Sequence, residues 1–379
     1  MPTPRQELLL DAAFAAEPLA RPAWNRWLHE VELENLDRPC RRLLPLAAAR
    51  MAKFPGISVP ARILGLRRKA WFQNQVLIHR ALEPLQMLQS RGMDIVILKG
   101  LAFTELYYRD RSLRPMEDID FMVPLDRVEE AVRLLGETGW KPKYPVECPM
   151  DAYFRFANHA WGFQKPPTGQ IDLHWRWLRN GCTQERIHTR PVPLEINDMT
   201  LNTLMAEDHL LQICDHAVRY VGIRECRWVA DILTLLACRG HDFEWARFLH
   251  QAGRTNLKLP ARLALEYVAH RFNAPIPDTV LNELATHEPI QQETAWYRLA
   301  ARGRMVDWPM LLNIRPGWQN DCPAMKNLAT SSRVKRTLSF ARARFRVSSC
   351  LQIPLVIVSK VTIRTMRALA RLFKPHQPG

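Results

Sequence analysis

DIVILKGLAFTELYYRDRSLRPMEDIDFMV, residues 94–123, decides the fold. It reads as an apolar strand, a tight glycine turn, a helix, a loop and a second strand. The second strand carries Asp118 and Asp120 at its head, followed by Phe121, Met122 and Val123. Side chains at i and i+2 of a strand share a face, so the two carboxylates project side by side. Like charges that close repel, and a buried strand end is a costly place for them. A divalent cation relieves that conflict. Mg²⁺ prefers one or two carboxylates plus phosphate oxygens, so the pattern points to metal-dependent phosphoryl or nucleotidyl transfer.

A third carboxylate follows about fifty residues on. Gln170-Ile171-Asp172-Leu173-His174-Trp175 reads as another strand with Asp172 between apolar neighbours. If this strand pairs beside the first, Asp172 completes a two-metal cluster. The bland alternative is two solvated acids and an unrelated buried one. His174, two residues on, shares the face of Asp172. It can position Asp172 or an acceptor hydroxyl, and the bland reading is a satisfied second-layer histidine. Lys99, Arg111 and Arg114 are candidate triphosphate ligands, because cations and guanidinium forks suit phosphate oxygens; otherwise they are ordinary loop charge. His209 and His216 share a helix face with Asp215 and Asp231 nearby; they are candidates for substrate contact, and the bland reading is a buried, hydrogen-bonded helix seam.

The chain resembles a DNA-polymerase-β-like nucleotidyltransferase of the broad bacterial family of uncharacterised nucleotidyltransferases. Leu98-Lys99-Gly100, Tyr107, Arg114, Asp118-Ile119-Asp120 and Ile171 to Trp175 carry the resemblance. So do Glu207-Asp208-His209-Leu210-Leu211, His216 and Arg227 to Ile232. It extends from about Arg62 to Leu236. The resemblance implies an α+β fold with a small mixed-sheet core and flanking helices. It also implies Mg²⁺ (or Mn²⁺) held by Asp118, Asp120 and Asp172. The expected reaction moves a nucleoside monophosphate from an NTP to a hydroxyl or phosphate acceptor and releases pyrophosphate. One residue departs from the pattern: Leu101 follows Gly100 where the superfamily has serine. Backbone N–H groups at the helix start, with Lys99, remain to hold a phosphate. The departure leaves a second expectation open, a nucleotide-binding protein without turnover whose basic tail supplies the function.

Around this centre the sequence divides into a helical N-terminal segment (1–60), the core (61–200), a helical domain (201–321) and a basic tail (322–379). A long helix is expected from Arg62 to Arg91, kinked at Pro84 and capped by Gly92. Asp126 should N-cap a further helix, and a hairpin should turn at Pro166-Pro167-Thr168-Gly169.

The chain has 379 residues, 47% of them apolar, enough for a sizeable core. Eight scattered cysteines form no C-x-x-C pair and read as reduced thiols. Acidic residues interrupt the first apolar run, so no signal peptide is expected, and no apolar run is long enough to span a membrane. The net charge is +15, but after Asp321 there are twelve basic and no acidic residues. Within the tail, Lys360, Arg364, Arg367, Arg371 and Lys374 align on one helical face. Such a helix can lie on an anionic membrane surface or grip nucleic-acid phosphates. The expected location is cytoplasmic, with the tail at the inner membrane surface as one alternative and a solvated or core-packing helix as the bland one.

Overall fold

The structure is a computed structural model. It describes residues 2–143, 150, 154–155, 158–167, 169–178, 191–219, 226–286 and 349. The basic tail expected over 322–379, Ser349 apart, lies outside the described residues. The chain forms two compact units, Met1–Lys141 with Ala160–Ile314 and Pro142–His159 with Arg315–Gly379. Of the second, only a few residues are described, including Phe154 and Asn158, whose amide N–H donates to the Phe154 carbonyl.

The first unit begins with three helices, α1 (Pro4–Phe14), α2 (Glu17–Glu30) and α3 (Arg38–Met51). Thr3 and Gln6 cap α1 reciprocally, each side chain bonded to the other's backbone N–H. Helix α4 (Ala61–Ser90) follows and runs on through Pro84 without a break in assignment. Its buried stripe includes Ile63, Ala70, Asn74, Leu77, Ala81, Leu85 and Leu88, the 3.6-residue repeat of a core-facing helix. Gly92, at φ +69°, turns the chain out of it.

The sheet is mixed and seven-stranded: β1 (Val96–Ile97), β2 (Ile119–Met122), β3 (Lys141–Pro142), β4 (Ala160–Lys165), β5 (Gly169–His174), β6 (Val192–Ile196) and β7 (Met199–Thr203). Its order is β3-β4-β5-β2-β1-β7-β6. Strand β2 is antiparallel to β1 and parallel to β5, and β1 is parallel to β7. The expected β4–β5 hairpin is present, with a cis bond between Pro166 and Pro167. The β6–β7 hairpin was not expected from the sequence. Its two strands alternate buried and exposed positions around Asn197, which adopts a left-handed φ of +53°.

Between β1 and β2 the chain forms α5 (Lys99–Phe103), which opens into a π-helical turn over Thr104–Tyr108. After β2, a 3₁₀ turn (Leu125–Arg127) precedes α6 (Val128–Glu137). Asp126 therefore sits inside that turn and does not cap α6. Among the described residues, five further helices follow: α7 (Ala206–Arg219), α8 (Arg227–Arg239), α9 (Trp245–Arg254), α10 (Lys258–Phe272) and α11 (Asp278–Ala285). They share one apolar core with α1–α3, in which Leu9, Leu10, Trp24, Trp27 and Leu43 pack with Val229, Ile232, Phe248 and Leu265. Burial of each such side chain contributes about 1.5–3 kcal/mol before entropy is counted.

Candidate metal and nucleotide site

The parallel pairing of β2 with β5 brings the carboxylates together. In its register Asp120 lies opposite Asp172 and Met122 opposite His174. Asp120, Asp172 and His174 each offer a ligand atom, and these atoms lie within 4.8 Å of one another. Asp118, half-buried just before β2, lies on the same face as Asp120. The alternation that buries Ile119 and Phe121 completely is what turns the two acids to the other side.

Lys99 provides a cation in this cluster. Its Nζ donates to Asp120 Oδ1 at 2.6 Å and lies 3.4 Å from His174 Nε2. The residue sits at φ +44°, a left-handed conformation that costs a non-glycine residue roughly 1 kcal/mol or more. Gly100 has a different reason to be glycine. A Cβ there would come within 3.1 Å of both Arg114 Nη1 and Met116 Sδ. A side chain at residue 100 would therefore press on the ends of both and require them to shift.

Histidine 174 bridges the cluster to the backbone. Its Nε2 is 3.0 Å from Asp120 Oδ1, and its Nδ1 is 3.3 Å from the Arg176 carbonyl. Burial and the neighbouring Lys99 push its pKa down, while Asp120 pulls the other way. Burial pushes the Asp118 carboxyl up to about 6, reinforced by the charges of Asp120 and Asp172. Burial also works upward on Asp120, yet Lys99 and His174 hold it well below the usual carboxylate range. Asp118 also feels the positive charge of Arg227, yet burial and the two neighbouring acids still hold its carboxyl up. The donor set fits a hard divalent cation: several carboxylate oxygens close together, with one imidazole at the side.

Arg114 and Arg111 do not join this cluster. Arg114, 5% exposed, places Nε and Nη2 each 2.9 Å from the two oxygens of buried Asp231 on α8. Tyr108 donates its hydroxyl to the same carboxylate at 2.8 Å. Arg111 is held by Glu105 at 2.7 Å, by Gln75 and by Asn197. Both arginines brace the loop that leads into β2.

Two supports of the site, Asn74 and Asp231, had no signal strong enough to be read from the sequence; a third, His209, is the buried, hydrogen-bonded residue expected, with partners its spacing did not name. Asn74, fully buried on α4, donates to the carbonyls of Arg111 and Arg114 and accepts from Met116 N–H. Asp231 pairs with Arg114 across more than a hundred residues. His209 links the Tyr107 hydroxyl, 3.0 Å from Nδ1, to Thr203 Oγ1, 3.2 Å from Nε2. Thr203 donates to the Ile97 carbonyl, so it must accept from His209, which fixes a neutral imidazole protonated on Nε2. Burial, helped by Arg114, lowers the His209 pKa to about 3. The family motif contained Asp231 and His209, but nothing in their spacing named their partners.

The sequence model of a family described as uncharacterised nucleotidyltransferase matches residues 40–273. Among solved structures, similarity extends to an antigenic nucleotidyltransferase-like protein from Paracoccidioides brasiliensis. That match has 15% identity and a TM-score of 0.32, covering 59% of this chain and 96% of the other. The Megavirus polyadenylate synthase matches with 13% identity and a TM-score of 0.24, over 85% of this chain and 58% of its own. No curated protein matches.

Proposed function

The chain belongs to the family of uncharacterised nucleotidyltransferases, and from that premise we propose that it transfers a nucleoside monophosphate from an NTP to a hydroxyl or phosphate acceptor, releasing pyrophosphate. The observation that carries this reading is the register of β2 against β5, which sets Asp120 beside Asp172 with His174 in reach. Asp118, Asp120 and Asp172 would hold Mg²⁺ or Mn²⁺, with His174 beside them. When bound, the metal supplies Lewis-acid polarisation and charge neutralisation at the reacting phosphate.

The chain's own residues supply placement. Lys99 sits at the N-terminus of the α5 turn, where an ammonium and free backbone N–H groups favour a phosphate. Gly100 leaves the backbone bare at the same point. Arg114 and Arg111 act from behind, by fixing the loop between this turn and β2. Asp172, on the strand next to Asp120, is the carboxylate placed to accept the proton of the acceptor. Catalysis then rests on orientation and charge stabilisation rather than on a covalent intermediate.

Asp172→Asn tests this directly. Pyrophosphate release from each NTP, with Mg²⁺ or Mn²⁺, should be lost in the variant while its folding is kept. A second reading is favoured by the bond from Lys99 to Asp120 and by Leu101 in place of serine: a protein that holds a nucleotide without turning it over. In that case Asp172→Asn leaves nucleotide binding unchanged and wild-type protein releases no pyrophosphate.

A further inference from the structure

Few large apolar side chains are exposed among the described residues: Leu19, Leu64, Trp71, Phe72 and Leu263. Three of these five fall on α4. At about 100° per residue, Leu64, Trp71 and Phe72 lie within one arc of roughly 100°, with Arg68 between the two aromatics and Lys69 next around. This face is opposite the stripe that buries Ile63, Ala70 and Leu77 in the core. Trp71 is 49% exposed and Phe72 63% exposed.

The charge that α4 itself carries along this stretch has one sign. No aspartate or glutamate occurs from Ala61 to Leu82. Arg62 is paired with Glu34, and Arg67 with Asp110. Arg68 and Lys69 form no ion pair among the described residues. An apolar tip of leucine, tryptophan and phenylalanine thus has two cations beside it, Arg68 and Lys69, outside those pairs.

We infer that this face of α4 docks the protein onto an anionic lipid surface. Trp71, Phe72 and Leu64 enter the boundary between headgroups and acyl chains, and Arg68 and Lys69 meet the headgroup phosphates. Leu64 favours lipid over nucleic acid, because it has neither a π-face for a base nor a charge for a phosphate. Three side chains on one helix face also fall well short of the roughly 800 Å² per partner that a stable protein interface buries. Peripheral lipid binding needs no such area, since insertion of a few tips adds to electrostatic attraction.

Sedimentation of the full chain with vesicles tests the inference. Two compositions serve, pure phosphatidylcholine and phosphatidylcholine with about one-third phosphatidylglycerol. Wild type should partition onto the anionic vesicles, more weakly as salt rises. Trp71→Ser/Phe72→Ser should lower that partitioning by about tenfold or more with an unchanged thermal midpoint, since both side chains are exposed. Arg68→Glu/Lys69→Glu should weaken binding to the anionic vesicles by a similar factor. The inference is overturned if wild type stays in solution. It is also overturned if the aromatic variant binds as wild type does, which would leave the attachment to another segment such as the basic tail. Loss of single-stranded RNA binding, or of self-association, in the aromatic variant without any vesicle binding would equally overturn it, in favour of those partners.

Discussion

Two buried arrays of charge grow out of the same stretch of chain, and they are built on opposite plans. Arg114 and Asp231 form a sealed, balanced pair: one cation, one anion, two parallel hydrogen bonds and a tyrosine hydroxyl, with 5% and 8% of the side chains exposed. Asp118, Asp120 and Asp172 crowd together, with Lys99 on Asp120 and a histidine beside them whose pKa is pushed down. The first array satisfies itself and holds the π-helical turn and the 111–116 loop to α8. In the second the acids crowd one another, and the Asp118 carboxyl is pushed up to about 6 by burial and its acidic neighbours. Balanced charge marks the frame, and the crowded acids mark the place where we propose that a metal binds.

If that contrast is right, the two arrays respond oppositely to neutralisation. Removing one member of the sealed pair, by Arg114→Ala or Asp231→Ala, should cost about 3–5 kcal/mol in urea unfolding, because the partner is left charged and buried. Arg114→Met/Asp231→Leu should recover most of that loss. At the open cluster, Asp172→Asn should cost little stability but lower turnover by about 10²–10³-fold, measured as pyrophosphate release.

A smaller effect separates the arrays by pH. The folded pKa of His209, about 3, lies below the ordinary 6.5. The unfolded chain therefore takes up a proton below pH 6.5 that the folded chain refuses until about pH 3. The contribution is present above pH 6.5 and is lost as pH falls, amounting to about 2 kcal/mol between pH 7 and pH 5. His209→Gln should flatten that part of the urea-midpoint profile. The smallest effect has the opposite sign to the first. Asp118→Asn should stabilise the metal-free protein by about 1 kcal/mol, since it removes a repelled charge, and should reduce the rise in thermal midpoint caused by added Mg²⁺. Destabilisation by Asp118→Asn would mean that the cluster is already balanced.

The open cluster was legible in the sequence for a physical reason. An i, i+2 acid pair on an apolar strand can only face one way, and a third acid between apolar residues can only be brought beside it by strand pairing. The long α4 was equally legible from its repeating apolar stripe. Its partners were not. Asn74, Asp231 and His209 matter because of contacts made across tens to more than a hundred residues, which tertiary packing chooses and local pattern does not encode. Strand β6 was hidden by Pro193, which argues against a strand interior and in fact marks β6 as the sheet edge. The π-helical turn also left no trace in residue type, although it sets consecutive Tyr107 and Tyr108 onto two different helices.

The most direct test of the central claim is equilibrium binding of the four NTPs, with and without Mg²⁺ or Mn²⁺, to wild type and to Asp118→Ala/Asp120→Ala. Metal-dependent binding by wild type that disappears in the folded double variant is the result this account requires. Binding that is indifferent to metal or to both aspartates, or no binding of any NTP by folded wild-type protein, would contradict it.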